Sequence, residues 1–364
     1  MGRSFIAISR SNAISVVQHD HTAGTTAITP LASTSTENDH HVAALAARTD
    51  GRIIAAYSEH VAPLSVRIST NPKDSTTWGA ATVIDSAACT YPRLAYLSSE
   101  TKFFLIYRQG DGTTRPQVMR TSTDSGATWS AATNLITETD KRPYLRLVTN
   151  GTNRIDFFVT DGHPRASETP DGNSLYHFYY SAGDWFNSGG TDIGDPPFTV
   201  ADATQVYDGT TTRSWIWDAG YSSGSPVALF TTFVSDTDHR YRYARWSGSA
   251  WETYEIATAG KHIYETAGEE QYTAGGCFAQ ATTSVYLCRE VATDRWELER
   301  WATSDGGETW TSAAAITSSS PSAPWKNYRP YKVEGGGPFD VVWLAGRYTT
   351  FLNWSSSLMA SPAP

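Results

Sequence analysis

The sequence predicts an all-β chain folded as a β-propeller, and three observations carry that prediction. Aromatic residues are 12% of the 364, with 13 Trp and 19 Tyr, while charged residues are only 18%. Long apolar patterns of helical period are missing, and Ser, Thr, Gly and Ala separate short apolar runs, as in strand-rich chains. One unit also recurs: an apolar run, a polar turn, a returning apolar run, then a third strand and an aromatic-rich turn. Its spacing of roughly 45–60 residues is that of a four-stranded propeller blade. A continuous repeat argues for one closed domain over residues 1–364. The N- and C-terminal strands would then meet to close the ring and leave no sheet edge free.

The elements follow in order. Residues 4–9 and 13–18 form an opening pair of strands, and the polar stretch 22–38 crosses to the next blade. Asn38 to His60 gives the clearest hairpin: Val42 to Ala46, the turn Thr49-Asp50-Gly51, then Ile53 to Tyr57. The unit returns as Leu94–Leu97 with Phe103–Tyr107, and as Leu145–Val148 with Ile155–Val159 across Asn150-Gly151. Later copies are Gly276–Ala279 with Val285–Cys288, and Tyr331–Val333 with Phe339–Leu344. Blades are expected at 42–88, 92–137, 144–195, 200–258, 270–318 and 328–356. Counting the opening strands as part of a first blade gives seven. If they complete the last blade, the count is six.

Two aromatic turns share the pattern S/T-x-D-x-G-x-T-W, the Asp box: Ser122 to Trp129 and Thr303 to Trp310. Ser69 to Trp78 is a degenerate copy, and Arg245 to Trp251 fills the same place in another repeat. Asp can accept from the turn amides, Gly supplies a positive φ and Trp packs beneath, so the box reads as a structural staple.

The net charge of −9 argues against nucleic acid as a general partner, but a local arginine cluster can still hold an anionic substrate. Three widely spaced cysteines (Cys89, Cys277, Cys288) do not form a disulfide framework. Buried free thiols are expected, with a Cys277–Cys288 bridge as the alternative. No C-x-x-C or H-E-x-x-H motif offers a catalytic zinc, and no cofactor is required. No apolar run approaches the ~20 residues of a membrane span, so no membrane insertion is expected. No leader is legible, since residues 5–8 are too short for one. A secreted or extracellular protein whose leader is not visible, or one carried in a virion, fits this.

A hairpin returns the chain to the face it left. Residues before each inner strand and after each second strand therefore share one rim. That places His40, His60, Tyr91, Arg108, Arg142, Tyr144, His163, Tyr272, Arg289 and Arg329 around one mouth. Two long loops, 162–174 and 259–271, should project from the same face and shape a cleft. The rim lacks the paired carboxylates of common glycosidases. A sialidase would share the Asp boxes, but its N-terminal Arg-Ile-Pro is absent. Elimination at a uronate needs a group to neutralise the carboxylate, a base for the C5 proton and an acid for O4. Arg suits the first by its bidentate fork, and His and Tyr suit the others.

Asp39-His40, Asp50-Gly51-Arg52, Tyr57 to His60, Thr90-Tyr91-Pro92, Tyr107-Arg108-Gln109, Arg142-Pro143-Tyr144 and Thr160 to Arg165 resemble the BNR-4 repeat family. So do Asp238 to Trp246, Tyr272 to Gly276 and Arg329-Pro330. That family includes seven-bladed propeller ulvan lyases and is similar to other propeller enzymes that cleave rhamnose–glucuronate linkages. The resemblance implies His40 and His60 as an active-site pair, Tyr91 as a proton-transferring tyrosine and Arg108 as the carboxylate-neutralising arginine. Tyr144 would be a further catalytic or substrate-contacting tyrosine. Arg142, His163, Tyr272, Arg289 and Arg329 are expected to bind substrate. Family members can hold a metal ion, which would be a structural Ca or Zn here, with ligands unassigned. Asn38-Asp39-His40-His41 replaces the usual Asp-Asp-His-Asn, and the amino-terminal part is short. The expected activity is a monomeric polysaccharide lyase acting on an anionic, uronate-containing polysaccharide. The alternatives are an α-L-rhamnosidase-type hydrolase on the same linkage and a non-catalytic glycan-binding module of a phage tail or adhesin.

Overall fold

Apolar runs of five to seven residues, too short for helices and rich in Val, Ile, Phe and Tyr, become strands throughout. The computed structural model describes residues 2–165, 171–265, 272–335 and 337–363, and these contain no helix. They form six antiparallel hydrogen-bonded sheets, taken up in chain order. The first holds β1 (Arg3–Arg10), β2 (Ala13–Asp20) and β3 (Thr25–Ser33). The second has seven strands: β4 (Val42–Ala47), β5 (Ile53–Ser58), β6 (Ala62–Ile68), β7 (Thr82–Leu97), β8 (Lys102–Gln109), β9 (Gln117–Ser122) and β10 (Thr133–Ile136). The third holds β11 (Tyr144–Thr149), β12 (Arg154–Thr160), β13 (Leu175–Ser181), β14 (Asp184–Asn187) and β15 (Thr204–Tyr207). The fourth holds β16 (Ser214–Ser222), β17 (Ser225–Ser235), β18 (Asp238–Trp246) and β19 (Trp251–Gly260). The fifth holds β20 (Gly276–Phe278), β21 (Ser284–Ala292), β22 (Arg295–Ala302) and β23 (Thr311–Ala315). The sixth holds β24 (Trp325–Lys332), β25 (Val341–Thr350) and β26 (Asn353–Ser361).

The arrangement is a β-propeller, but the strands do not pair as seven separate blades. The correction lies in β7, where a crossing between two units is expected from sequence. Instead one sixteen-residue strand runs through. Its first half pairs with β6 and its second with β8, and the β7–β8 register breaks between Thr90 and Arg93. One hydrogen-bonded sheet therefore covers two sequence repeats.

The second strand of each hairpin is the most apolar, and the packing explains why. In β5, β8 and β12 almost every side chain is buried. Such strands are covered on both faces by neighbouring sheets and lose the usual alternation. The core is a series of clusters between successive sheets. Ile14 and Val16 meet Ala55 and Tyr57, and Leu97 and Phe104 meet Leu145 and Phe157. Val227 and Leu229 meet Val285 and Leu287, while Trp296 and Leu298 meet Trp343 and Tyr348. The first and sixth sheets meet where His19 of β2 and His21, just past its end, pack on Phe339, just before β25, with ring centroids 5.2 and 4.8 Å apart.

The hairpin turns follow their residues. Gly51 and Gly151 take φ of 80° and 72°, which a Cβ would resist. The Asn150 side chain accepts from the amides of Thr152, Asn153 and Arg154. In the turn before Trp310, Asp305 accepts from the Thr309 amide at 3.0 Å, the Thr309 hydroxyl at 2.5 Å and the Thr303 hydroxyl at 2.7 Å. Asp124 makes the matching bonds with Thr128 and Ser122. Cys89, Cys277 and Cys288 are buried free thiols. Cys277 sits opposite Tyr286 rather than Cys288, so the alternative bridge does not form.

Candidate active site

Seven of the ten predicted residues form one unbroken chain of contacts. The His40 and His60 rings stack with centroids 4.2 Å apart, and His40 lies 5.5 Å from Tyr91. Tyr91 lies 5.8 Å from Tyr144. The Arg108 guanidinium carbon sits 4.8 Å from the Tyr91 ring centre and 5.1 Å from that of Tyr144. Tyr144 continues to His163 at 5.7 Å, and His163 meets Tyr272 through a 2.7 Å bond. These residues lie on or beside strands of three sheets, the second, third and fifth. The hairpin geometry puts them together, because each sits at the same end of its repeat.

Arg108, next to last in β8, is only 2% exposed, with no hydrogen-bond partner on Nε or Nη1. Burial disfavours its charge, but the Tyr144 and Tyr91 phenols beside it outweigh that and raise its pKa. It remains a cation with donors to spare.

Tyr91 owes its position to strained backbone. Its φ is 59°, it precedes Pro92, and it falls at the register break in β7. Arg329 repeats the device, with φ of 50°, Pro330 after it and a break between Tyr328 and Tyr331. A non-glycine residue held in this region costs about 1–3 kcal/mol, and such strain clusters at functional sites. In both cases the bulge re-aims one inner-strand side chain.

The histidines differ in their surroundings. Burial, with His40, Arg108 and Arg115 nearby, pushes the His60 pKa down to about 3, so at neutral pH it is an uncharged imidazole. His40 Nδ1 lies 2.9 Å from Asp39 Oδ1 and 2.7 Å from Asn38 Oδ1. Burial would raise the Asp39 pKa, but Arg329 and His40 hold it well below the carboxylate range. The His163 proton can also be placed. Nδ1 accepts the Arg165 amide at 3.2 Å, so Nε2 carries the hydrogen donated to Tyr272.

The remaining three predicted residues are Arg329, Arg142 and Arg289. Arg329 donates to Asp39 Oδ2 at 2.7 Å and to the Tyr348 hydroxyl at 3.0 Å. Arg142 precedes Pro143 and is close enough to act electrostatically on Arg115. Arg289 pairs with Glu299 at 3.2 Å and lies against Trp301, outside the ring chain among the described residues. Residues 166–170 of the first predicted rim loop and 266–271 of the second lie outside the described residues.

Sequence reasoning missed Arg115, Trp215 and Tyr348. Arg115 stands in the polar link 110–116 and acts on both Arg108 and His60. Trp215 packs between Tyr144, at 4.8 Å, and Tyr272, at 4.9 Å. Two carboxylates flanking the site are engaged, Asp39 by Arg329 and Asp161 by Lys141 at 3.2 Å. The mouth is thus locally cationic on a chain of net charge −9. Among the described residues no cluster of three His, Cys, Asp or Glu could hold a metal. A hollow lined by Arg52, Ser69, Gly126 and Ala127 contains none of the predicted residues.

Residues 3–259 match the profile of the BNR repeat-containing family. The chain belongs to that family. The Tyr272 to Gly276 and Arg329-Pro330 signatures lie beyond the matched segment. No curated protein is significantly similar in sequence. Among solved structures, the chain is similar to a PL25 ulvan lyase bound to -[GlcA(1-4)Rha3S]-. The TM-score is 0.75 at 13% identity, over 99% of this chain and 90% of that one. It is also similar to the polysaccharide lyase Uly1, with TM-score 0.63 and 13% identity over 100% of this chain and 88% of that one. A putative 6-phosphogluconolactonase from Bacteroides uniformis gives TM-score 0.51 and 11% identity, over 100% and 98%. At these identities the likeness establishes the propeller fold and no more.

Proposed function

We propose that this protein is a polysaccharide lyase that cleaves a uronate-containing polysaccharide of the rhamnose–glucuronate type by β-elimination. The observation that carries the reading is Arg108, a buried cation with two unpartnered donor nitrogens, flanked by two tyrosines and a histidine pair. A uronate carboxylate supplies what it lacks. The likeness to an ulvan lyase holding a glucuronate–rhamnose ligand agrees with that chemistry.

In this reading Arg108 binds the carboxylate through its spare N–H donors, with Arg115 adding positive field. Neutralising the carboxylate acidifies C5–H. His40 takes the C5 proton, and the C5–H electrons form the C4–C5 double bond. The C4–O4 bond breaks, and the Tyr91 hydroxyl protonates O4. The His40 imidazolium then returns its proton to the Tyr91 phenolate. His60 is uncharged at working pH, which suits it to orienting rather than to delivering a proton. Tyr144, Arg142, His163 and Tyr272 shape the adjoining surface, and Arg289 and Arg329 stand further back. The protein works as a monomer outside the cell or on a virion.

The test is ultraviolet absorbance over time with ulvan, gum arabic and bacterial rhamnose–glucuronate polymers. A rise from unsaturated uronate is expected. New reducing ends without that rise would replace the lyase by a hydrolase. Saturable binding with no change in polymer size would make the protein a glycan-binding module.

A further inference from the structure

Two strands from the far end of the chain converge on one carboxylate beside His40. Asp39 Oδ2 accepts from Arg329 at 2.7 Å and from the Tyr348 hydroxyl at 2.5 Å. Asp39 Oδ1 lies 2.9 Å from His40 Nδ1. The second group at Nδ1 is Asn38 Oδ1, at 2.7 Å. That atom also accepts the His40 backbone N–H at 2.9 Å, which fixes it as the amide oxygen. Both neighbours of Nδ1 are therefore acceptors, and the nitrogen between them must carry hydrogen.

We infer that Asp39 is a positioning residue which, with Asn38, holds neutral His40 as the Nδ1–H tautomer and leaves Nε2 with the ring's lone pair. Asp39 does not touch the reacting atoms. Its carboxylate sets which nitrogen can accept a proton and stabilises the imidazolium formed once one is taken. Arg329 and Tyr348 are the outer support, keeping Asp39 ionised and oriented. Around the ring, His60 stacks at 4.2 Å, Tyr91 lies at 5.5 Å and Phe351 meets it edge-on at 5.3 Å. His41 adds a neighbouring imidazole from the same segment. The catalytic consequence rests on the lyase reading, whereas the tautomer does not.

The experiment is long-range 15N–1H correlation on the labelled full-length chain, at a pH well above the ordinary imidazole value of about 6.5. His40 is assigned by loss of its signals in His40→Gln. The expected spectrum has a protonated Nδ1 and a lone-pair Nε2. In Asp39→Asn the low-field Nδ1 proton should move upfield. Uronate-polymer turnover should fall about 10–100-fold in kcat, with KM changing much less. Tyr348→Phe keeps the carboxylate and trims one of its donors, so it should shift both readouts the same way by less. An Nε2–H tautomer in the unmodified protein would overturn the inference. So would an Asp39→Asn protein with unchanged Nδ1 proton and kcat. An Nδ1–H His40 in a protein that cleaves no uronate polymer would count against the lyase reading alone and leave the assignment of Asp39 supported.

Discussion

Replacing Arg108 by Met should cost activity without costing stability, and the structure sets the size of both effects. The guanidinium has two donor nitrogens unpartnered in the free protein, so its strongest bonds wait for the substrate. A hydrogen bond to a charged group contributes about 1.5–3 kcal/mol. Two such bonds to a carboxylate, tightening as charge builds on it, give roughly 3–6 kcal/mol. At about 1.4 kcal/mol per factor of ten, that is roughly a 10²–10⁴-fold loss in kcat/KM. The folded protein meanwhile sheds a 2%-exposed charge for which no carboxylate among the described residues forms an ion pair. Replacing buried ionic groups by apolar ones of similar volume is often neutral or stabilising by about 1–4 kcal/mol. Lost cation–π contact with Tyr91 and Tyr144 offsets part of this, at about 0.5–2 kcal/mol each. The assay pairs absorbance-based turnover with a thermal melt of the same preparation. The expected result is a folded, inactive protein whose melting temperature is unchanged or higher. A variant several kcal/mol less stable that keeps its turnover would show Arg108 to be a structural cation and refute the argument.

Other perturbations separate the site from its scaffold. The His60 pKa is depressed to about 3 from an ordinary 6.5, so between those values the unfolded chain binds the extra proton. Stability from this residue is complete above about pH 6.5 and is lost as pH falls toward 3. In His60→Gln, the difference between urea midpoints at pH 7 and pH 4.5 should shrink; an unchanged difference would contradict the assigned burial. Asp305→Ala removes the acceptor for the Thr309 amide and hydroxyl, and should lower the denaturation midpoint with turnover intact, read by chemical denaturation and the absorbance assay. Tyr91→Phe keeps the ring over Arg108 and deletes only the hydroxyl. It should lower kcat about 10²-fold or more with little change in melting temperature, the signature of lost proton transfer.

Much of this arrangement was legible because it depends on local period. The apolar runs at 42–46 and 53–57 fall within β4 and β5, and Asp50-Gly51 marks their turn. Once the hairpins are placed, their ends are placed too. His40, His60, Tyr91, Arg108, Tyr144, His163 and Tyr272 could therefore be gathered at one rim before any contact was known. What escaped depended on relations that period does not encode. Thr82 to Leu97 holds the polar stretch Asp85-Ser86 and a Pro, so it reads as a break, yet neighbours on both sides keep it one strand. Arg115 lies in a link with no pattern of its own. Asp39 reads as one more polar residue beside a histidine, because its partners lie 290 and 309 positions away.

Those separations bear on how the protein is made. During synthesis, β4 through β12 emerge with both histidines, Tyr91, Arg108 and Tyr144 already in order. Asp39 at that moment has neither Arg329 nor Tyr348, and its backbone N–H lacks the Phe351 carbonyl that it meets at 3.0 Å. A nascent chain can thus bury most of its core while its candidate proton acceptor stays unbuttressed. Competence arrives only when the last sheet docks on the first turn of the ring. A product truncated before residue 329 would carry nearly every residue of the mouth and still lack the lock that sets His40.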